Sequence, residues 1–288
     1  MHKETTVRSA SIAVGLMLTV IAGQALARPA MTVLTINTKD PMSYMQWVKD
    51  SGAVIGESID AAVGGVCLPS AGYYGPGEIY YWHLFADHAT AMGAEQYNPT
   101  VMGELKKLKA ERVVSRGDAY SVLMVEPGDY EVGETFSNWN IVVSTRDPAK
   151  YVSEVKRMSA AADENGFSDV SFTIYQYLTG ENAGKLMAVI QAPNGNRLGA
   201  MLDALETEWA SKILGDMAKI RRYDHGFTMN CEVVHAAASY SFGWFWDAGA
   251  CILCSARSFS SNSSVKVAKS PSQAFSASLS NNISTRWP

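Results

Sequence analysis

One short segment of the sequence concentrates side chains that can hold a small molecule. Tyr81, His83 and Phe85 occupy every second position of an apolar, β-rich run. Successive side chains of a strand point to opposite faces, so these three residues share one face. If that face lines a cavity, a phenol and an imidazole provide polar handles in an aromatic pocket. If it faces helices instead, His83 is a core histidine.

Tyr73 and Trp139, in two other aromatic-rich segments, complete the candidate ligand-binding set. Aromatic walls with a polar group beside them are the side chains that a pocket for a phenol-like molecule requires. Trp82, Asn138 and Asn140 add side chains of the required types. Such types are common in any aromatic-rich fold, so the catalytic residues stay unassigned.

Signatures of metal, nucleotide and hydrolase sites are missing from the sequence. It contains no G-x-S-x-G, H-E-x-x-H, Walker loop or G-x-G-x-x-G. His83 and His88 fall on opposite faces under strand alternation, and Cys251 with Cys254 lacks the second pair of a zinc site. For His83, a structural role is favoured over ligation of a haem group by this histidine alone. The sequence therefore predicts no metal and no cofactor.

The elements that must position these residues are repeated along the chain. "TKDPMSY" at 38–44 and "TRDPAKY" at 145–151 lie 107 residues apart, and the same offset relates "GEIYYWHLFA" to "GKLMAVIQAP". Asp40 and Asp147 suit the N-cap of a helix, and the proline that follows each suits the first helical position. Each phrase therefore predicts a strand-to-helix junction.

Apolar periodicity around the two junctions predicts the order β-α-β-β-α-β twice. The first unit is expected at residues 31–127, a linker at 128–137 and the second unit at 138–235. Two helices on one side of a four-stranded sheet leave the other sheet face bare. That bare face must be buried elsewhere.

Over about residues 31–235 the chain resembles the dimeric α/β-barrel superfamily, in which two ferredoxin-like units set their sheets together around a central cavity. The resemblance implies the fused form: an α+β fold of two tandem ferredoxin-like βαββαβ units that make an intrachain α/β barrel. The superfamily includes cofactor-free monooxygenases, muconolactone-isomerase-like enzymes, chlorite dismutases and dye-decolorising peroxidases. The fold alone does not select among them.

The resemblance also implies a position for two cysteines. With strand order 4-1-3-2 in each sheet, barrel closure pairs the second strand of one unit with the fourth strand of the other. Cys67 lies on the former and Cys231 on the latter. They are candidates for a disulfide, which needs Cα atoms within about 7 Å. The alternative is a pair of buried free thiols.

The N-terminal segment predicts export. Lys3 and Arg8 precede an apolar run at 12–23, and Ala25 to Ala27 ends it, as in a secretory signal peptide over residues 1–27. A membrane anchor is the alternative, but the run is shorter than the ~20 residues of a span. We therefore expect a periplasmic or secreted protein without stable membrane insertion. Cleavage changes the formal charge from −4 to −5. A chain with this negative charge has no electrostatic attraction to nucleic acid.

The last segment, residues 236–288, loses both periodicities and becomes serine-rich. Three interpretations stay open: a disordered tail, a short apolar docking segment at Phe242 to Leu253, and translation in the wrong reading frame.

Binding of a small aromatic or apolar molecule in the central cavity is the leading functional hypothesis. A cofactor-independent monooxygenase or isomerase is the first alternative, so whether the protein is an enzyme is left open. The second alternative is a structural envelope protein, which a filled barrel without a cavity would favour.

Overall fold

Strands and helices of the computed structural model follow the chain in two repeats. The structure describes residues 27–125 and 130–238. The first repeat contains β1 (Ala30–Thr38), α1 (Pro41–Ser58), β2 (Val63–Ala71), β3 (Glu78–Phe85), α2 (His88–Gly93), α3 (Pro99–Leu105) and β4 (Arg112–Met124). The second contains β5 (Thr135–Thr145), α4 (Pro148–Glu164), β6 (Ser171–Tyr177), β7 (Leu186–Ala192), α5 (Gly195–Ala204), α6 (Glu208–Ala218) and β8 (Arg221–Ala236).

Some of the predicted segments lie outside the described residues. These are the expected signal peptide before Ala27, the first part of the expected linker up to residue 129, and the expected tail after residue 238. β5 begins at Thr135, before the predicted start of the second unit at 138, because this end of β5 already pairs with β8. Within the two described ranges, no helix combines the length and apolar character that crossing a membrane requires.

Both predicted strand-to-helix junctions are present. Asp40 Oδ1 accepts the backbone N–H of Ser43 at 3.1 Å, and Asp147 Oδ1 accepts that of Lys150 at 3.0 Å. The proline after each aspartate occupies the start of α1 or α4. The repeated phrase is therefore a repeated helix start, as its residue types predict.

The second helix expected in each unit is divided in two. Asn98 Oδ1 accepts the N–H of Val101, and Pro99 takes the first position of α3, so a new helix begins there. In the second unit α5 ends at Ala204 and α6 begins at Glu208. Apolar spacing alone does not reveal this second break, because α5 and α6 contribute to the same core cluster.

Antiparallel strands close into one barrel in the order β1-β3-β2-β8-β5-β7-β6-β4. Within each unit the order is 4-1-3-2, as predicted, and the units join through the pairs β2–β8 and β4–β6. Closure leaves neither sheet with an open edge. The α+β fold of two tandem ferredoxin-like units in one intrachain barrel is confirmed.

The buried residues divide into an interior layer and two helix-facing layers. One cluster lines the barrel interior and includes Tyr80, Tyr120 and Phe136. A second lies between the sheet of the first unit and its helices, and a third occupies the equivalent place in the second unit. Each strand is therefore buried on both faces over part of its length.

A disulfide crosses the seam between the units. Cys67 on β2 and Cys231 on β8 are directly opposite in the strand register, with Cα atoms 4.0 Å apart and a bond between their sulfurs. Both side chains are buried against the barrel interior. The bond links positions separated by 164 residues, so it closes a loop that contains most of the described chain.

Removing this disulfide should destabilise the barrel without changing its fold. We expect the variant with Cys67→Ala and Cys231→Ala to lose about 2–4 kcal/mol of unfolding free energy, because the unfolded chain regains a long closed loop. Guanidinium unfolding, with and without reductant, measures the loss. Unchanged stability, or alkylation of all 4 cysteines in denatured but unreduced protein, would contradict the crosslink.

Helix α1 packs closely on β8 because two residues of α1 at the contact are glycines, which have no side chain. A Cβ at Gly52 would collide with Val234, and a Cβ at Gly56 would collide with the imidazole of His235. That imidazole is fixed, since its Nε2 donates to the carbonyl of Ala61 at 2.8 Å. The ring therefore has little freedom to move away from an added methyl group.

A pair of glycine substitutions tests this contact. Gly56→Ala should lower the free energy of unfolding by about 1–3 kcal/mol through overpacking. Gly103→Ala, in α3, is the matched control because an added Cβ meets open space there. This control should raise stability by about 0.4–1 kcal/mol, since alanine restricts the unfolded chain. If urea unfolding shows the same shift for both variants, the close contact of α1 with β8 is refuted.

Candidate ligand-binding site

A cavity lies inside the barrel. Its volume is about 70 Å³, taken as the space open to the centre of a water molecule. One water needs ~10–15 Å³ on this measure, so there is room for about five waters or one small ring. The aromatic residues of its wall are Tyr80, Trp82, Tyr120, Tyr130, Phe136, Tyr175, Tyr177 and Phe227. Its polar residues are Arg116, Asn138, Asn140, Thr173 and Gln191.

Strand alternation on β3 decides which aromatic side chains reach the cavity. Tyr80, Trp82 and Leu84 point inward and line its wall. Trp82 lies opposite Gly65 of β2, and a Cβ at that glycine would collide with the indole ring. The missing side chain therefore creates the space that Trp82 occupies inside the barrel.

Tyr81, His83 and Phe85 alternate with these inward-facing residues and therefore face the helices. The prediction that they line the central cavity is wrong. Tyr81 and Phe85 belong to the helix-facing core of the first unit, together with Tyr44 of α1. The His83 ring contacts both Tyr81 and Phe85, with centroids 4.5 and 6.4 Å away. Both faces of β3 are buried and aromatic, so alternation does not identify the inner one.

The other two candidates also lie outside the cavity wall. Tyr73 is 48% exposed in the connection between β2 and β3. Trp139 packs against the helix-facing core of the second unit. Its neighbours Asn138 and Asn140 line the cavity instead. In the sequence, this part of the wall is indicated by the two amide side chains at alternate positions of an otherwise apolar strand.

These two asparagines present hydrogen-bond acceptors that have no protein partner. Asn140 Nδ2 donates to the carbonyl of Phe227 at 3.4 Å, and Asn138 Nδ2 points to Cys231 Sγ at 3.9 Å. Neither a carbonyl nor a disulfide sulfur can donate, so both amides must direct Nδ2 toward β8. The Oδ1 atom of each is buried without a hydrogen-bond partner.

The cavity phenols stay protonated. Burial raises the pKa of Tyr80, and the hydrogen bond from its hydroxyl to Glu78 Oε1 at 2.5 Å raises it further. Burial likewise raises the pKa of Tyr120 and, to about 12, that of Tyr177, whose hydroxyl donates to Met187 Sδ at 3.6 Å. At neutral pH these three phenols are therefore hydrogen-bonding groups without charge.

One ion pair adjoins the cavity. Arg116, which lines it, contacts Asp118 with 2.5 Å between Nε and Oδ2, and its Nη1 lies 3.6 Å from Glu181. Burial raises the pKa of Asp118, although the neighbouring guanidinium opposes the shift. The positive charge of Arg116 is therefore largely balanced by the protein itself.

The residues present do not fit a haem group. His83, the histidine weighed as its ligand, lines a separate cavity of about 40 Å³ on the other face of β3. That volume holds roughly three waters. No histidine occurs among the described residues that line the barrel cavity. Across residues 27–125 and 130–238, no cluster of three or more histidine, cysteine or acidic side chains is arranged to hold a metal.

Comparisons with known proteins find similarity in structure alone. No protein-family model matches the sequence, and no curated protein matches it. A proposed monooxygenase from Fusobacterium nucleatum superposes with a TM-score of 0.51 at 9% identity, over 75% of this chain and 98% of the other. An anthrone oxidase-like protein has a TM-score of 0.49 at 10% identity, over 80% and 99% of the two chains. A haem-binding protein from Thermus thermophilus has a TM-score of 0.41 at 9% identity, over 72% and 92%.

At 9% identity the similarity to the Fusobacterium protein supports the fold and leaves the chemistry open. The strand order, the closed barrel and the overlap with the Fusobacterium protein agree with one another. The chain therefore has the fold of the dimeric α/β-barrel superfamily, with both ferredoxin-like units fused in one polypeptide.

Proposed function

We propose that the protein binds a small aromatic molecule carrying a hydrogen-bond donor in the barrel cavity. The observation that carries this proposal is the pair of unpartnered Oδ1 atoms of Asn138 and Asn140 in an aromatic wall. A buried acceptor without a partner costs about 1–3 kcal/mol. A ligand hydroxyl can donate to one of the two acceptors and a primary amine to both, which offsets the cost, and the surrounding rings stack on an aromatic ligand.

Binding fits the wall better than turnover does. A cofactor-independent monooxygenase or isomerase needs a base that takes a proton from its substrate. The polar groups of the wall are amides and the Thr173 hydroxyl, which do not act as bases, the charged guanidinium of Arg116, and phenols with raised pKa, which are poor bases. The nearby buried carboxylates are already engaged, Glu78 by Tyr80 and Asp118 by Arg116. The cavity itself favours a ligand-binding protein over a purely structural envelope protein.

We also propose that the protein acts after export, in the periplasm or outside the cell. The Cys67–Cys231 disulfide supports this, because such bonds persist in oxidising compartments. The order of basic, apolar and small residues in the first 27 positions supports it independently. The negative formal charge of the chain disfavours binding to nucleic acid.

Phenol and toluene, which have the same size, test the role of the acceptors. Asn138→Leu should lower the ratio of phenol affinity to toluene affinity about ten-fold, because only phenol loses a hydrogen bond. Asn140→Leu should act in the same direction. Isothermal titration calorimetry with the purified chain measures both affinities.

Trp139→Phe is the matched control, since Trp139 lies on the same strand but outside the cavity wall. It should leave both affinities unchanged. If neither compound binds the wild-type protein, or if the ratio is unaffected by both asparagine substitutions, the proposed ligand class is wrong.

A further inference from the structure

A second cavity lies on the outer face of the first unit. It is bounded by β1, β3 and β4 on the sheet side and by α1 and α3 on the helix side. Its volume is about 40 Å³, again as the space open to water centres. β3 separates it from the barrel cavity, because Tyr80 and Trp82 point into one space while Tyr81 and His83 point into the other.

Two buried polar atoms in this second cavity have no partner. Tyr81 and His83 are 4% and 6% exposed, and neither the Tyr81 hydroxyl nor His83 Nε2 makes a hydrogen bond. Both side chains line the cavity, with ring centroids 4.5 Å apart. Unpartnered buried groups are rare in folded proteins, because each costs about 1–3 kcal/mol. A molecule in the cavity would satisfy both.

Both unpartnered groups can act as donors. Burial, and secondarily the nearby His235, lowers the pKa of His83 to about 3, so its imidazole is neutral and carries one N–H. Burial raises the pKa of Tyr81, so its hydroxyl keeps the proton. A ligand oxygen could accept from each.

Arg112 adds a positive charge to the same wall. Its Nη1 donates to the Tyr44 hydroxyl at 3.3 Å, and its guanidinium lies 5.9 Å from the Trp47 ring centroid. None of the ion pairs in the described part of the chain includes Arg112. A guanidinium is suited to a carboxylate, which it can bind through two parallel N–H groups. The wall therefore has a cationic donor with no anion of its own.

The second unit shows which parts of this arrangement the fold requires. Arg221 donates to the Tyr151 hydroxyl at 3.1 Å, as Arg112 does to Tyr44, so the arginine–tyrosine pair belongs to the repeated scaffold. At the 107-residue offset, however, Tyr81 and His83 correspond to Ala188 and Ile190. The repeated unit therefore folds with apolar residues at these positions. The polar pair is a special feature of the first unit.

We propose that this second cavity binds a small monocarboxylate, with its oxygens at Arg112, Tyr81 and His83. Apolar side chains complete the wall, among them Ile55, Ile59 and Leu105. They suit a short alkyl group. The volume, roughly three waters, restricts the ligand to the size of formate or acetate.

This cavity has a lining residue that is exposed to solvent. Gln96 and Tyr97, in the connection between α2 and α3, line its outer side, and Tyr97 is 63% exposed. A small anion could therefore reach Arg112 from solvent beside Tyr97 without opening the barrel. The site is independent of the proposed aromatic site, since none of its wall residues lines the barrel cavity.

Titration of the full chain with sodium acetate and sodium formate tests the site. We expect saturable shifts of the His83 ring signals in a two-dimensional ¹H–¹⁵N spectrum, while sodium chloride at equal ionic strength produces none. Tyr81→Phe keeps the ring and removes the hydroxyl, and should weaken acetate binding about ten-fold. Arg112→Gln removes the charge and should weaken it by a larger factor.

Arg221→Gln is the matched control, because it removes the equivalent arginine of the second unit. It should leave acetate affinity unchanged, and circular dichroism should show all three variants folded. Butyrate, which is too long for the volume, should bind at least ten-fold more weakly than acetate. Shifts that do not saturate, that chloride reproduces, or that persist unchanged in Tyr81→Phe would overturn the proposal.

Discussion

Burial on both faces is the constraint on which this structure depends. The inner faces of the strands enclose the barrel cavity, and the outer faces are covered by helices, so both sets of side chains pack away from water. Where a strand is buried on both faces, it has no solvent face to tolerate a register error. Moving β3 by one residue would exchange Trp82 for His83 inside the barrel. The chemistry of each cavity is therefore set by the pleat of a few strands.

Closure of the barrel resolves the problem that each unit has by itself. A four-stranded sheet with helices on one side leaves an apolar face and two strand edges unprotected. Joining β2 to β8 and β4 to β6 removes all the edges at once and buries both bare faces against each other. The Cys67–Cys231 bond lies in the β2–β8 seam, where it links the two units covalently. A barrel of this strand number leaves only a small interior space, which suits a small ligand.

The two units share a scaffold but differ in the residues that can bind ligands. Helix starts at Asp40 and Asp147 and the arginine–tyrosine contacts are repeated closely. The unpartnered polar atoms that line the two cavities are not repeated: in the first unit they belong to Tyr81 and His83 on the outer face of β3, and in the second to the two asparagines on the inner face of β5. The barrel thus has two unlike cavities on opposite faces of its strands.

Sequence reasoning determined the repeat and the helix starts, because caps, turns and a fixed offset can be recognised in the residues themselves. It reached the strand order and the candidate Cys67–Cys231 pairing only through the resemblance to the dimeric α/β-barrel superfamily. It failed on the site, since Tyr73, Tyr81, His83, Phe85 and Trp139 all lie outside the wall of the barrel cavity. Alternation sorts side chains into two faces but does not say which is inner when both are apolar. Only the tertiary structure decided that, through the glycine opposite Trp82 and the helix packed over Tyr81. Those contacts join segments that are distant in the chain, and no local pattern records them.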